Sequence, residues 1–425
     1  MDLLGRIRED MALEANVGKS YLYRFLMQFQ LWWPIWVIYL QKERGLSLTQ
    51  ITLLDTPFFL LIVFAEVPTG AIADRYGRRV SLMLGSFMFA IAVFVFGVAE
   101  SYLVILLSYT AWGLAITLQS GADTALLYDS LKAMGREDEF QKINGRLWAL
   151  TSFAVLLAIL IGAPIAAFTS LSVPILLSAG VALVAVPVAF SMHEPSHREH
   201  EEPEPYFRMV RNGIRDAWNS KPLRYIMAFS GMMNAAVFAP LIFLQPFLDS
   251  FDVNTGNLGL WQAPVRGAGM IAAFFAYRVI RRLGERGAFL AMPVALGIAY
   301  LSLAGIGSMW VYAAFIPVGF VAGMYNPTLA DYVNRRIPSE RRATMLSLQS
   351  MIGSVLLAFM EPISGALADA VGLRGMFLMF GALTLVTGPA ILWLWNRAEM
   401  AETDVGPAGA VEAQEQEQTP EIVAV

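Results

Sequence analysis

Cysteine is absent from the 425 residues, which excludes disulfides, thiolate metal sites and cysteine nucleophiles. Histidine is nearly absent. His193, His197 and His200 all fall in one acidic, proline-containing stretch, so a solvated linker accounts for them better than a metal centre. Charge is scarce too, at 15% of residues, where a soluble domain carries about a quarter. A net charge of −4 gives no case for nucleic acid as a partner. No G-x-x-x-x-G-K-[ST] phosphate loop occurs, so a nucleotide-driven pump has no footing. No catalytic constellation or cofactor motif stands out. The chain is therefore read as a non-enzyme that needs no cofactor and no metal. Its start is charged (Asp2, Arg6, Arg8, Glu9, Asp10) and does not resemble a cleavable signal peptide.

What the chain has instead is apolar length. Hydrophobic residues make up 57% of it, and the charges cluster so as to leave apolar runs of about 20 residues, enough for a helix to cross a bilayer core of roughly 30 Å. The alternation of a membrane barrel is missing, and a helix satisfies its own backbone inside lipid. The fold class expected is an all-α membrane protein of 12 transmembrane helices in two six-helix bundles. The spans lie at about 20–41, 49–71, 80–98, 103–130, 145–168 and 173–192, then 223–248, 257–278, 288–306, 309–332, 343–367 and 373–396.

These spans divide the chain into an N-terminal bundle (1–192), a linker (193–222), a C-terminal bundle (223–396) and a tail (397–425). The tail is rich in Ala, Glu, Gln and Pro and reads as disordered. Residues 1–18 read as a short amphipathic lead. Within the linker, Phe207, Val210, Ile214 and Trp218 recur at helical spacing with Arg208, Arg211 and Arg215 between them. That is a basic amphipathic helix suited to an anionic membrane surface, with a partner-binding helix as the other reading. Lysine and arginine set the orientation. One set of loops collects Arg75, Arg78, Arg79, Lys132, Arg136, Lys142, Arg281, Arg282, Arg286, Arg335, Arg336, Arg341 and Arg342, whereas the opposite loops hold little beyond Lys42, Arg44 and Arg374. Both termini are accordingly placed in the cytoplasm.

The densest motif is Gly70-Ala71-Ile72-Ala73-Asp74-Arg75-Tyr76-Gly77-Arg78-Arg79, between spans two and three. A shift of 207 residues sets Pro57 on Pro264, Gly77 on Gly284 and Arg79 on Arg286, so 281–286 is a degenerate copy. Gly365-Ala366-Leu367-Ala368-Asp369-Ala370-Val371-Gly372 is a second echo, at the end of span eleven. The decapeptide resembles the signature loop of the major facilitator superfamily, and span count, linker and repeat fit that family's nested repeats. The resemblance implies alternating access with the substrate near the midplane. It also implies that Gly70, Asp74, Arg75, Gly77, Arg78 and Arg79 form a gating latch. Asp74 would engage the N-terminus of helix eleven, where the helix dipole favours an acid, and the latch would hold the outward-facing state. Two departures stand out. Tyr109 occupies the place where the family's drug exporters carry an arginine, with Gly113 matching their glycine. Gly162-Ala163-Pro164-Ile165-Ala166-Ala167 is a degraded form of their span-five motif.

Ionisable residues inside spans are costly and mark function by default. Arg24 and Asp123 lie at a similar depth in spans one and four, with Glu66 in span two. An Arg24–Asp123 pair near Glu66 is one proton-coupling arrangement, and a purely structural ion pair is the other reading. Glu361, beside Pro362 in span eleven, is a further coupling candidate. Tyr23, Gln30, Gln119, Asn234, Gln262, Arg266, Asn326 and Gln349 supply polar groups for a substrate cavity. Trp32, Trp33 and Trp36 read as interfacial or packing residues. The resulting expectation is a monomeric secondary transporter in a bacterial or archaeal inner membrane. Its partners are the lipid bilayer, a small-molecule substrate and protons, and its action is efflux (antiport) of a hydrophobic or amphipathic compound. An uptake permease for a nutrient or organic anion, bound by Arg24 or Arg266, is the alternative. A non-transporting sensor or scaffold is the third reading.

Overall fold

The computed structural model describes residues 3–195, 211, 214–215, 218–336 and 339–404. Among these residues there is no strand. Among the described residues nine helical stretches are long and apolar enough to cross a membrane. The N-terminal half contains α1 (Leu3–Gln28), α2 (Trp36–Lys42), α3 (Leu48–Leu53), α4 (Asp55–Tyr76), α5 (Arg78–Val98), α6 (Tyr102–Gln119), α7 (Ala122–Ala133), α8 (Phe140–Phe168) and α9 (Ser172–Ser191). The C-terminal half contains α10 (Lys221–Leu241), α11 (Leu244–Asp249), α12 (Leu258–Gly305), α13 (Phe315–Arg336) and α14 (Ser339–Asp404).

The glycines of the repeated motif explain where direction changes. Gly77 separates α4 from α5 at φ 106° and ψ 146°. Gly284 interrupts α12 at φ 69° and ψ 167°, and Gly372 interrupts α14 at φ 76° and ψ 166°. Positive φ with extended ψ is open to glycine and strained for other residues. The three motif copies thus share one backbone device.

Several elements depart from the expected boundaries. α1 begins at Leu3, so the expected lead and first span form one helix. That span then breaks over 29–35 around Pro34 and resumes as α2, because proline removes a helical donor and crowds the preceding turn. Span four breaks at Gly121, φ 74°, into α6 and α7. α14 carries helix to Asp404, past the expected start of the tail. Residues 405–425 and most of the proposed linker helix lie outside the described residues. Ile214 and Trp218, from that helix, are exposed.

Within the halves α5 packs on α6 and α9, α10 on α14, and α12 on α13. Between the halves α3 and α4 meet α14, and α8 meets α12. An aromatic cluster fills the N-terminal half behind the broken first span. Trp32 stacks on Trp33 at 5.0 Å and meets Trp112 edge-on at 4.9 Å, while Phe58 lies 5.0 Å from Tyr109 and 5.2 Å from Trp112. Trp32 and Trp36 are buried, so this tryptophan run packs against protein. Each such pair adds about 0.5–1.5 kcal/mol beyond its area.

Candidate functional site

Two ends of the molecule are distinguished by their partners. At the linker end, Asn16 Nδ2 donates to Ser130 Oγ and to the carbonyl of His193, and Arg136 pairs with Glu14. At the far end the two halves meet. The carboxylate of Asp369 on α14 accepts from the backbone N–H of Leu48 (3.2 Å) and Thr49 (2.8 Å) and from Thr49 Oγ1 (2.6 Å). These are the free donors of α3's first turn, where the helix dipole also favours a carboxylate. Lys42 pairs with Asp249 across the same seam, and Thr56 Oγ1 donates to Ala358 O at 2.6 Å. The fit is close: a Cβ on Gly365 would stand 2.1 Å from Thr52 Oγ1, and one on Gly259 would stand 2.2 Å from Ile159 O. Thr52 and Gly259 are 207 residues apart, the offset of the internal repeat.

The broken first span is repaired across this seam. Its freed groups cannot turn to water at membrane depth and need protein partners. Gln245 Nε2 donates to Trp33 O at 2.8 Å, Gln245 Oε1 accepts from Val37 N at 3.0 Å, and Gln262 Nε2 donates to Pro34 O at 2.8 Å. Gln30 is buried and donates to Met27 O. Arg266 places its guanidinium 5.5 Å over the Trp33 ring.

Beneath the seam, exposure changes along one face of α4. Asp55, Phe59, Ile62 and Glu66 follow the i, i+4, i+7, i+11 spacing of one helical face. Asp55 at the top is buried against the other half. Glu66, about 16 Å further along the axis, is exposed, as is Gly70. Asp55 had no place among the sequence candidates, although its offset of 207 from Gln262 was a usable signal. Tyr109 Oη donates to Asp55 Oδ1 at 2.7 Å, and the carboxyl of Glu361 on α14 is near enough to interact with that of Asp55. Tyr109 thus gives the position where drug exporters carry arginine a different task.

Arg24 and Asp123 do meet, as an ion pair between α1 and the first turn of α7. Their side chains are 15% and 21% exposed, so the pair is largely but not fully buried. The break at Gly121 puts Asp123 in a helix's first turn, where a negative charge is favoured. Trp148 lies 5.6 Å from the Arg24 guanidinium. Beside them, Tyr23 Oη contacts Gln119 Oε1 and Leu82 O, each at 3.1 Å. Glu66 is not part of this ion pair. In the C-terminal half, Asn234 and Gln349 converge on Tyr325, which also bonds Ser230. Asn326 is exposed.

At the linker end, Asp74 and Arg75 are exposed at the foot of α4. Arg78 pairs with Asp129 and donates to Ala125 O, and Arg79 lies 4.8 Å over Phe190. Glu194, which had no place among the sequence candidates, accepts from the backbone N–H of Arg78 and Arg79, each at 3.0 Å, and so caps α5. Arg136 beside Glu139 holds that carboxyl below its ordinary range.

The family model described as Major Facilitator Superfamily matches residues 24–362. An uncharacterized MFS-type transporter, YxaM of Bacillus subtilis, is 23% identical over 385 residues, covering 85% of this chain and 90% of that protein. A maltose permease of Geobacillus stearothermophilus is 24% identical, covering 92% and 97%. Among solved structures, the nucleoside transporter NupG superposes with a TM-score of 0.75 at 12% identity, over 91% of this chain and 99% of that one. A bacterial homologue of the lysosomal transporter Spinster, in an inward-facing and unoccupied conformation, gives 0.70 at 14%, over 94% and 98%. With a multi-pass helical architecture, a repeated glycine turn and a family match across most of its length, the chain belongs to the major facilitator superfamily of membrane transporters.

Proposed function

We propose that the chain is a proton-coupled exporter of a hydrophobic or amphipathic small molecule, working by alternating access between two six-helix bundles. The reading takes nine membrane-crossing stretches, divides the two interrupted at Gly284 and Gly372, and adds α1–α2 to reach twelve spans. The arginine-rich linker end is cytoplasmic by the positive-inside rule, which makes the far-closed arrangement inward-facing. The protein acts as a monomer in the cell membrane of a bacterium or archaeon. The largely buried Arg24–Asp123 pair carries the proposal. An intramembrane acid held by one arginine is able to exchange that partner for a proton or a cationic cargo. The Trp148 ring beside it offers apolar contact.

Inside-out vesicles test this. Accumulation of the amphipathic dye Hoechst 33342 on imposing a proton gradient supports the reading. Dye accumulation that ignores the gradient overturns it. The second reading is uptake of a polar nutrient. It is favoured by Arg266, whose cation faces Trp33 across the halves, and by relatives named as a maltose permease and a nucleoside transporter. Gradient-driven uptake of maltose or uridine in right-side-out vesicles, with no dye transport, selects it.

A further inference from the structure

The far-end seam contains a feature its other contacts do not explain: two acids face each other. Asp55 from α4 and Glu361 from α14 are 4% and 6% exposed and belong to opposite halves. Their carboxyl groups are near enough to interact directly across the seam. Among the described residues Tyr109 is the donor to the pair, through Asp55 Oδ1. Asp55 Oδ2 and Glu361 Oε2 are buried with no hydrogen-bond donor among the described residues.

Two ionised carboxylates in contact, out of water, repel strongly, and neither offers a proton to the other. Among the described residues no cation answers them. The positive groups toward the far end lie elsewhere: Lys42 pairs with Asp249, Arg44 lies over Tyr39, Arg266 lies over Trp33, and Arg374 is exposed at the α14 turn after Gly372. Asp369, about 12 Å further along α14, caps α3. Tyr109 on α6 is the titratable group that faces the pair. One proton between the carboxyls satisfies both orphaned oxygens and removes the second charge.

We propose that Asp55 and Glu361 form a proton-binding site that exists only when the halves meet at the far end, so that far-end closure takes up one proton and opening releases it. The site is distinct from Arg24–Asp123, which lies within one half. It rests on the alternating-access reading but on no particular cargo. When α4 and α14 part, each carboxyl gains water and ionises by itself. When they return, a proton must come with them. One proton per closure makes the ratio of far-open to far-closed molecules rise roughly tenfold per pH unit across the titrating range.

The absence of native cysteine allows site-directed spin labels at Glu100→Cys and Asn257→Cys, both exposed at the far end on opposite halves. Their distance distribution is measured in nanodiscs from pH 5 to pH 9. The expected result is a far-end distance that lengthens with pH in the parent, and a response reduced at least tenfold in Asp55→Asn/Glu361→Gln, whose neutral amides keep the volume and hydrogen bonding. A parent that ignores pH overturns the proposal, as does a double variant that responds as the parent does. Gly365→Ala, on the same labels, opens the seam by steric means. If it lengthens the distance while pH does not, the proton site fails and alternating access stands. If neither moves the distance, the two-state seam itself fails.

Discussion

Replacing Gly365 with alanine tests the far-end seam where the packing is tightest. The added Cβ would lie 2.1 Å from Thr52 Oγ1 and 2.7 Å from Leu48 O, where ordinary contact begins at 3.4 Å. Thr52 has little freedom to yield, since its hydroxyl donates to Leu48 O at 2.9 Å. Leu48 O belongs to the backbone. Relief therefore requires α3 and α14 to separate by about 0.7 Å or more, and overpacking of this kind costs about 1–3 kcal/mol. Alanine also favours the helix by about 1 kcal/mol over glycine. That gain applies to far-open and far-closed molecules alike and cancels in their ratio. The steric cost falls on the far-closed state alone, so the ratio shifts about 5- to 150-fold toward far-open. Spin labels at Glu100→Cys and Asn257→Cys report it as a longer far-end distance. An unchanged distribution in a folded variant would refute the claim that this seam limits opening.

Three further outcomes follow from the same geometry. Asp369→Asn keeps the shape of the α3 cap but removes its charge, at a cost of about 0.5–2 kcal/mol to the far-closed state. Its label distances should shift in the same direction as Gly365→Ala and by less. Asp123→Asn leaves Arg24 without its carboxylate and should abolish uphill transport of the dye in proteoliposomes while sparing exchange; full pH-driven accumulation in that variant would remove Asp123 from coupling. Trp112→Ala empties the centre of the aromatic cluster and should cost about 3–5 kcal/mol, read as a lowered melting temperature in detergent with little change in the far-end distance.

Much of the architecture was legible in the sequence because lipid imposes simple rules. Apolar runs, charged loops and the Gly70–Arg79 motif led to the family, and the echoes at 281–286 and 365–372 mark real glycine turns at Gly284 and Gly372. The Arg24–Asp123 pair was legible because two ionisable residues at equal depth in neighbouring spans have few other partners. The seam was harder. Asp55 lies only a few residues inside α4's end of the membrane, where an acid looks like an ordinary boundary residue. Its meaning comes from Glu361, 306 residues away, and Tyr109. Gln262 read as a cavity residue because nothing local announces that the first span breaks at Pro34 and leaves a carbonyl for it to satisfy. Glu194 looked like linker charge because helix capping by a distant residue leaves no periodic trace. Asp369 looked like a motif echo, and its contact with α3 ties the two halves together at the opposite end from Asp74.

The central claim is that this chain couples a proton gradient to solute movement without other energy input. The direct measurement is accumulation of Hoechst 33342 in proteoliposomes holding the purified protein, with an imposed pH gradient and no nucleotide. The account predicts uphill accumulation that a protonophore collapses and that Asp123→Asn lacks. Accumulation that persists after the gradient is dissipated, or that requires nucleotide, would contradict it.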